Sequence, residues 1–236
     1  MTTEILTKSA TAIPAEKNGG RRKAALFDDE RAGRIYRTAA QMIYEKGFAA
    51  TSMNEIAEAV DLTKPGLYYY VKGKKELLFA IMGFAMDLLD VEVVAPAQEE
   101  SDPEARLREI IRRHARLLTH EAGAVAILID EVGGLSEAQR VAITTRKRAY
   151  FDFIRHTLET LRADGRLRDV DTTTATFSLL GIVMWLSRWY QTDGRISGDA
   201  VVDDVTEIAL RGVLTGASAR AGDGPTFGFA PAGLDS

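Results

Sequence analysis

The sequence predicts an all-α protein, with an N-terminal domain of three helices followed by a larger helical domain. Between about residues 27 and 215, apolar residues recur with the 3.6-residue period of a helix, and no segment keeps the two-residue alternation of a strand. Glycine and proline stand between these periodic segments, where they end one helix and allow the next to begin. The chain has 236 residues, 46% of them apolar, so it can bury a core without disulfides or bound metal.

The two ends of the chain lack this periodicity. Residues 1–26 are rich in Thr, Ala, Gly, Lys and Arg, and residues 216–236 are rich in Gly, Ala and Pro. We therefore expect a flexible N-terminal arm and a flexible C-terminal tail. The chain between them is divided into a first domain at residues 27–75 and a second at residues 76–215.

No segment has the length and composition of a membrane or targeting element. The first 25 residues lack the apolar run of a signal peptide. The longest apolar stretch, residues 175–190, is broken by polar residues and falls short of the roughly 20 residues that a membrane helix needs. We therefore expect a cytoplasmic protein without a membrane partner.

The composition argues against an enzyme. With no cysteine, thiolate metal sites and cysteine nucleophiles are excluded. The three histidines, His114, His120 and His156, do not have the i, i+4 spacing of a helical zinc site. We expect no catalytic residue, no metal and no cofactor, although acid–base chemistry by carboxylates in a small helical enzyme stays open.

The first two helices are bounded by capping residues. Three acidic residues at 28–30 place negative charge at a helix start, where the free backbone N–H groups favour it, and Gly47 supplies the stop. Ser52 and Glu55 have the spacing of a capping box, in which each side chain accepts the other residue's backbone N–H. A second helix of about two turns therefore begins after Ser52. The apolar stripes of the two helices are Ile35, Ala39, Met42 and Ile43, then Met53, Ile56, Ala57 and Val60.

A third helix follows the second after a turn of about three residues. Thr63 is a suitable N-cap for it, and Pro65 is tolerated in a first helical turn. A longer helix is expected from Lys74 to about Val91. Two short helices joined by a tight turn match the helix-turn-helix motif, whose second helix enters the major groove of DNA while the first crosses the backbone.

The third helix carries residue types that contact DNA. The Thr63 hydroxyl suits a phosphate, Lys64 can reach a base edge or a phosphate, and Gly66 allows close approach of the groove. At least one of the tyrosines 68–70 must face outward, where its hydroxyl suits a phosphate and its ring a sugar or a thymine methyl. Tyrosines at helical spacing are usually half-buried and lysine clusters usually solvated. Here, however, the capped short helix, the tight turn, the run of tyrosines and the lysines that follow the third helix occur together, which favours contact with DNA.

Charge is distributed unevenly along the chain, which carries a net charge of -4. Residues 1–80 contain 13 basic and 10 acidic residues, whereas residues 81–236 contain 17 basic and 24 acidic residues. A phosphate-binding surface needs only a local basic cluster, so the acidic total is compatible with DNA as a partner.

These residues resemble the helix-turn-helix of the TetR family of transcriptional repressors. The resemblance covers roughly residues 28–80 and rests on two runs, GFAATSMNEIA at 47–57 and TKPGLYYYVKGKKELL at 63–78. Asp61 stands where the family usually has glycine, and Asp tolerates the positive φ of such a turn. Gly66 stands where the family often has threonine, so one hydroxyl contact is lost. The resemblance implies a DNA contact face at Thr51, Thr63, Lys64, Gly66, Tyr68, Tyr69 and Lys74.

By the same resemblance, residues 76–215 form a helical ligand-binding and dimerisation domain. We expect its helices at about residues 103–120, 123–132, 136–163, 171–191 and 199–214. The chain would then be a DNA-binding repressor that a small molecule releases from a palindromic operator. A third functional class is an adaptor that binds other proteins through its apolar helices. DNA affinity that falls steeply with added salt would indicate phosphate contacts and favour the repressor, and its absence would favour the adaptor.

Five residues of the second domain are candidate ligand contacts. His114 lies on the apolar face of a strongly amphipathic helix, although a histidine there is more often a core residue. Phe151 lies on an apolar stripe opposite a basic cluster at 146–148. Residues 181–190 resemble the branch of the family that senses acyl-coenzyme A thioesters, and a hydrophobic drug is the alternative effector. This segment contributes Trp185, Arg188 and Trp189, with packing in a dimer interface an equal alternative for the two tryptophans.

The last two helices are more apolar than one neighbour can cover, which predicts a homodimer. Each subunit would contribute them to a four-helix bundle, and a two-fold axis would set the reading helices about 34 to 36 Å apart, or a multiple of that spacing. The apolar residues assigned to the dimer on the last helix are Val201, Val205, Ile208, Val213 and Leu214.

The arginines on the helix from residue 103 are expected to lie mostly in solvent.

Overall fold

The computed structural model describes residues 30–130 and 134–216. Within these ranges the secondary structure is helical, and the sole β feature is an isolated bridge between Leu167 and Leu214. The predicted all-α class is therefore confirmed. The expected arm, the acidic residues 28 and 29 and nearly all of the expected tail lie outside the described residues.

Four helices form the core of the first part of the chain. The second packs against the first and the third, and the fourth packs against the first. The buried side chains that join them include Ile35, Ile56, Leu67 and Leu77. These helices are α1 (Glu30–Lys46), α2 (Met53–Ala59), α3 (Lys64–Tyr70) and α4 (Lys74–Leu89).

The predicted capping box at the start of α2 is present. The Ser52 hydroxyl accepts the Glu55 backbone N–H at 3.2 Å, and the Glu55 carboxylate accepts the Ser52 N–H at 2.8 Å. Hydrogen bonds from the side chain and the backbone N–H of Ser52 to the Glu55 carboxyl lower its pKa. Helix α2 therefore begins where both residues satisfy otherwise free backbone donors.

The turn after α2 is a Schellman motif with Asp61 at its left-handed position. The φ of Asp61 is 54°, and the Leu62 N–H donates to the Ala57 carbonyl at 2.8 Å. Asp61 adopts the positive φ that the sequence predicted for this position. The motif reverses the chain within three residues and so fixes where α3 begins.

Helix α4 continues farther than the periodicity predicted. A π-helical segment, Asp90–Val94, follows it directly and leads into α5 (Ala95–Glu99). The Ala95 N–H donates to the Asp90 carbonyl, five residues back. Pro96 has no N–H to donate and would crowd a carbonyl of the preceding turn in a regular helix. The wider turn ahead of the proline lets the chain stay helical.

The remaining helices fall between Pro103 and Val213. Asp102 caps the first of them by accepting the Ala105 N–H at 2.9 Å. The helix predicted over residues 171–191 is divided after Met184, so Trp185 links two helices. The helices are α6 (Pro103–His120), α7 (Ala122–Asp130), α8 (Glu137–Ala163), α9 (Thr172–Met184), α10 (Leu186–Trp189) and α11 (Gly198–Val213).

The backbone contacts group the chain into two compact units. Among the described residues, one unit contains 30–96, 123–130 and 134–143, and the other contains 97–122 and 144–216. The first unit thus extends beyond the predicted boundary at residue 75 and includes most of α7. Gly123 explains how α7 packs on α1, because a Cβ there would lie 2.9 Å from the Gln41 Cα.

Helix α6 is the centre of the second unit. It packs against α9, α10 and α11. Three of its arginines, spaced four residues apart, pair with acidic residues of α11 while their side chains stay 40 to 50% exposed, so this face lies partly in solvent and partly against α11. The sequence could not show that α11 lies antiparallel beside it. The pairs are Arg108–Glu207, Arg112–Asp203 and Arg116–Asp199.

None of the helices in the described part of the chain combines the length and the apolar content that crossing a bilayer requires.

Candidate DNA-binding surface and ligand-binding module

Helix α3 is held in place from one side only. Its N-terminus is capped by Thr63, whose hydroxyl accepts the Gly66 N–H at 3.2 Å. Leu67 is completely buried, and the Val71 N–H that ends the helix donates to the Leu67 carbonyl. Leu67 and Val71 are buried, whereas Tyr68 and Tyr69, which lie between them on the helix, are exposed.

The outward side of α3 brings four predicted DNA contacts onto one surface. Thr63, Lys64 and Tyr68 are exposed, and Tyr69 is 86% exposed. Of the three consecutive tyrosines, the half-buried Tyr70 packs its ring edge-on against Tyr69, with centroids 5.4 Å apart. We name the exposed set Thr63, Lys64, Tyr68 and Tyr69 the α3 surface. Gly66 lies beside it, half-buried.

Thr51 does not belong to the α3 surface, which corrects its assignment to the contact face. Its side chain is 1% exposed, and its hydroxyl donates to the Gly47 carbonyl at 3.0 Å. This hydrogen bond ties the start of α2 to the end of α1. The resemblance selected the position correctly as part of the motif, but a sequence does not show on which side of a loop a short side chain lies.

Lys74 is only partly available to a phosphate. Its ammonium donates to the Ala49 carbonyl at 3.1 Å and lies 4.5 Å from the centroid of the Phe48 ring. Two of the three N–H donors remain for another acceptor. Lys72 and Lys75, on either side of it, are exposed and extend the basic character beyond α3.

His114 and Tyr150 form a buried polar pair in the second unit. His114 is 3% exposed, and its Nδ1 lies 3.0 Å from the Tyr150 hydroxyl oxygen. Burial lowers the pKa of His114 to about 4, so the imidazole is neutral at neutral pH. Burial also raises the pKa of Tyr150, which keeps its hydroxyl protonated. Within the described ranges, His114 Nε2 is buried and has no hydrogen-bond partner.

The other predicted ligand contacts lie elsewhere. Phe151 is half-buried with its ring centroid 4.7 Å from that of Phe177, whereas Trp185, Arg188 and Trp189 are exposed. The five residues therefore do not line one buried site. Tyr150 and Phe177 were missed by the sequence prediction because only the packing of α8 against its neighbours shows what they contact.

An exposed apolar strip runs along α9 and α10. Phe177 and Trp185 are each 64% exposed, and Ile182 and Trp189 are also exposed. On α11, Ile208 is exposed, but Val201 and Val213 are buried within their own subunit, which corrects their assignment to a dimer face. We name the set Phe177, Ile182, Trp185, Trp189 and Ile208 the apolar strip.

The geometry of α2, the Schellman turn and α3 defines a helix-turn-helix DNA-binding protein. Comparison with known families agrees: residues 35–81 match the model described as bacterial regulatory proteins, tetR family. Residues 100–213 match a tetracyclin repressor-like C-terminal domain. The chain belongs to the TetR family.

Three relatives each match more than three quarters of this chain. The solved AibR structure, in complex with isovaleryl coenzyme A and operator DNA, is 37% identical with a TM-score of 0.70, and the match covers 76% of this chain and 97% of AibR. The repressor KstR2 of Rhodococcus jostii is 28% identical over 87% of this chain and 98% of its own. The activator FasR of Mycolicibacterium smegmatis is 26% identical over 83% of this chain and 88% of its own.

Proposed function

We propose that this protein is a homodimeric repressor that binds a palindromic operator through α3 and leaves it when an acyl-coenzyme A thioester binds the second unit. The observation that carries the DNA-binding half is the α3 surface, where two tyrosines, a lysine and a threonine face outward on a helix of a helix-turn-helix. As a regulator of bacterial DNA it would work in the cytoplasm, and it would bind its effector without converting it.

Each residue of the α3 surface has a contact to make in a major groove. Thr63, at the N-terminus of α3, offers its hydroxyl hydrogen to a phosphate while its oxygen still caps Gly66. Lys64 reaches a base edge or a phosphate, and Tyr68 and Tyr69 offer a hydroxyl and a ring. The two free donors of Lys74 would reach a flanking phosphate.

The apolar strip supports the homodimer. Two tryptophans and a phenylalanine exposed along α9, α10 and the residue that links them are unusual for a monomer, and such a patch marks an interface. A two-fold axis brings the same patch of each subunit together, so aromatic side chains that water surrounds in one subunit become buried in two. The tryptophans are therefore assigned to the dimer and not to the ligand.

The effector class is proposed from the relatives. AibR, with which the chain shares 37% identity, was solved with isovaleryl coenzyme A. The buried surroundings of His114 would suit a mainly apolar group that carries a single polar acceptor. A hydrophobic drug is the alternative effector, and a panel containing acyl-coenzyme A thioesters, free acids and drugs separates the two by which compounds release the operator.

DNA binding is tested with a variant of the α3 surface. We expect Lys64→Ala/Tyr69→Ala to lose about 100-fold or more in affinity for a labelled palindromic operator, because it removes a cation and an aromatic contact. Both side chains are exposed, so the thermal midpoint should be unchanged. The matched control, Arg148→Ala, removes an exposed cation of α8 and should bind as wild type does. Equal binding by all three proteins would exclude α3 as the reading helix.

A further inference from the structure

The ring nitrogen Nε2 of His114 is a buried polar atom that the protein itself leaves unsatisfied. In folded proteins nearly all buried polar atoms have a hydrogen-bond partner, and the exceptions call for an explanation. Here the other ring nitrogen is satisfied by Tyr150, so the pair is ordered and points its remaining polar atom at a definite place.

The residues one turn from the pair on its own two helices are apolar. One turn before and one turn after His114 on α6 lie Ile110 and Leu118, and one turn after Tyr150 on α8 lies Ile154. All three are buried. Among the side chains that the structure describes, none is placed to complete the hydrogen bond, so a bound molecule can supply the completing atom.

We propose that Tyr150 and His114 form an oriented relay whose free Nε2–H donates to the carbonyl oxygen of the effector's acyl group. This assignment rests on the proposed acyl-coenzyme A effector and names the atom that recognises it. The phenol hydroxyl of Tyr150 donates to Nδ1, which fixes the proton of the neutral ring on Nε2. The effector's alkyl chain then packs against the surrounding isoleucine and leucine side chains.

Neutrality and burial suit this role. The low pKa of His114 keeps the ring uncharged, so a neutral carbonyl suffices as its partner and no carboxylate is needed. Water excluded from the site cannot compete for the hydrogen bond, which strengthens discrimination between ligands with and without the acceptor. The unsatisfied nitrogen destabilises the ligand-free protein, and the ligand relieves this cost on binding.

The test compares isovaleryl coenzyme A with its thioether analogue, in which a methylene replaces the carbonyl. Calorimetric titration of the wild-type dimer should give about tenfold or greater preference for the thioester. His114→Asn keeps an amide near the position of Nδ1 but nothing at Nε2, and should bind both compounds equally. His114→Gln returns an N–H near the position of Nε2 and should recover part of the preference.

The outcomes separate this assignment from the proposed function. If wild type binds the thioester but His114→Asn keeps the full preference, the relay is wrong and the acyl-coenzyme A effector stands. If wild type binds neither compound, the effector class falls and the relay falls with it.

A stability measurement covers the case in which the single variants fold poorly. His114→Phe/Tyr150→Phe removes both polar groups while keeping an aromatic ring at each position. A relay retained for ligand binding predicts a thermal midpoint a few degrees above wild type, together with loss of the thioester preference. A pair retained only for packing predicts a lower midpoint, and that result would overturn the proposal.

Discussion

At the scale of single residues, the sequence predicted some backbone conformations but not the contacts of buried side chains. Asp61 adopts a φ of 54°, as its place in the turn predicted. Gly47 likewise ends α1 with a positive φ of 85°. Thr51 could not be assigned in this way, because its burial depends on how α2 sits on α1. His114 was placed on an apolar face by periodicity, but its bond to Tyr150 joins residues 36 positions apart and has no local signal.

Acid should destabilise this protein through His114. Its pKa is about 4 when folded and about 6.5 when unfolded, so the unfolded chain binds the proton first. The contribution of the neutral ring is complete above pH 6.5 and is lost as pH falls toward 4. By pH 5 we expect the free energy of unfolding to fall by on the order of 2 kcal/mol relative to pH 7, measured by urea titration.

The His114→Phe/Tyr150→Phe variant is the control for this loss. It keeps the exposed His120 and His156. Burial raises the pKa of Tyr150, so His114 is the one changed group that titrates between pH 7 and pH 5. Hydrogen bonds with Ser52 lower the pKa of the Glu55 carboxyl from 4.5, so its stabilising contribution is present above that pH and is lost only below it, outside the range from pH 7 to pH 5. The same loss of stability in the variant between pH 7 and pH 5 would show that His114 is not its source.

At the scale of elements, local signals located the helices and tertiary packing decided their ends and partners. The capping box, the left-handed turns and the 3.6-residue period were enough to predict α1 to α4 and the beginning of α6. The π-helical segment before Pro96 was not predicted, because the sequence indicated a helix end there. The division at Trp185 and the pairing of α6 with α11 were also hidden, since both depend on contacts distant in sequence.

The contact of α7 with α1 depends on the absence of a side chain at Gly123. In Gly123→Ala the new Cβ would lie 2.9 Å from the Gln41 Cα, so the helices must separate. We expect a loss of about 1 to 3 kcal/mol in the free energy of unfolding, measured by denaturant titration. The control is Gly212→Ala on α11. A Cβ there meets nothing within 4 Å, and alanine favours a helix more than glycine does, so this variant should not lose stability. Unchanged stability in Gly123→Ala would mean that α7 does not pack there.

At the scale of the whole molecule, the uneven distribution of charge agrees with a DNA-binding part followed by a ligand-binding part along one chain. Residues 1–80 carry a basic excess and include the α3 surface, while the rest is acidic. The family resemblance predicted this order of domains from the first 80 residues. It could not predict which apolar residues of α11 face outward, because Val201 and Val213 are used by the subunit's own core.

The apolar strip predicts that a charged residue there separates the subunits. Wild type should sediment as a dimer of twice 25.8 kDa, and Phe177→Asp/Trp185→Asp should sediment as a monomer at micromolar concentration. Both side chains are exposed in the single subunit, so its fold should survive. Tyr69→Asp, which places one aspartate at an exposed aromatic residue of the α3 surface, should remain a dimer. A dimeric strip variant would place the interface elsewhere.

Release of DNA by ligand is the property on which the proposed function depends. A ligand changes DNA affinity only if it binds the free and DNA-bound states differently, and the coupling is reciprocal. The direct measurement is fluorescence anisotropy of a labelled palindromic operator titrated with protein, with and without saturating isovaleryl coenzyme A. We expect the thioester to weaken operator binding by about tenfold or more, and the operator to weaken thioester binding by the same factor. Identical operator affinity with and without every acyl-coenzyme A tested would contradict an acyl-coenzyme A-released repressor.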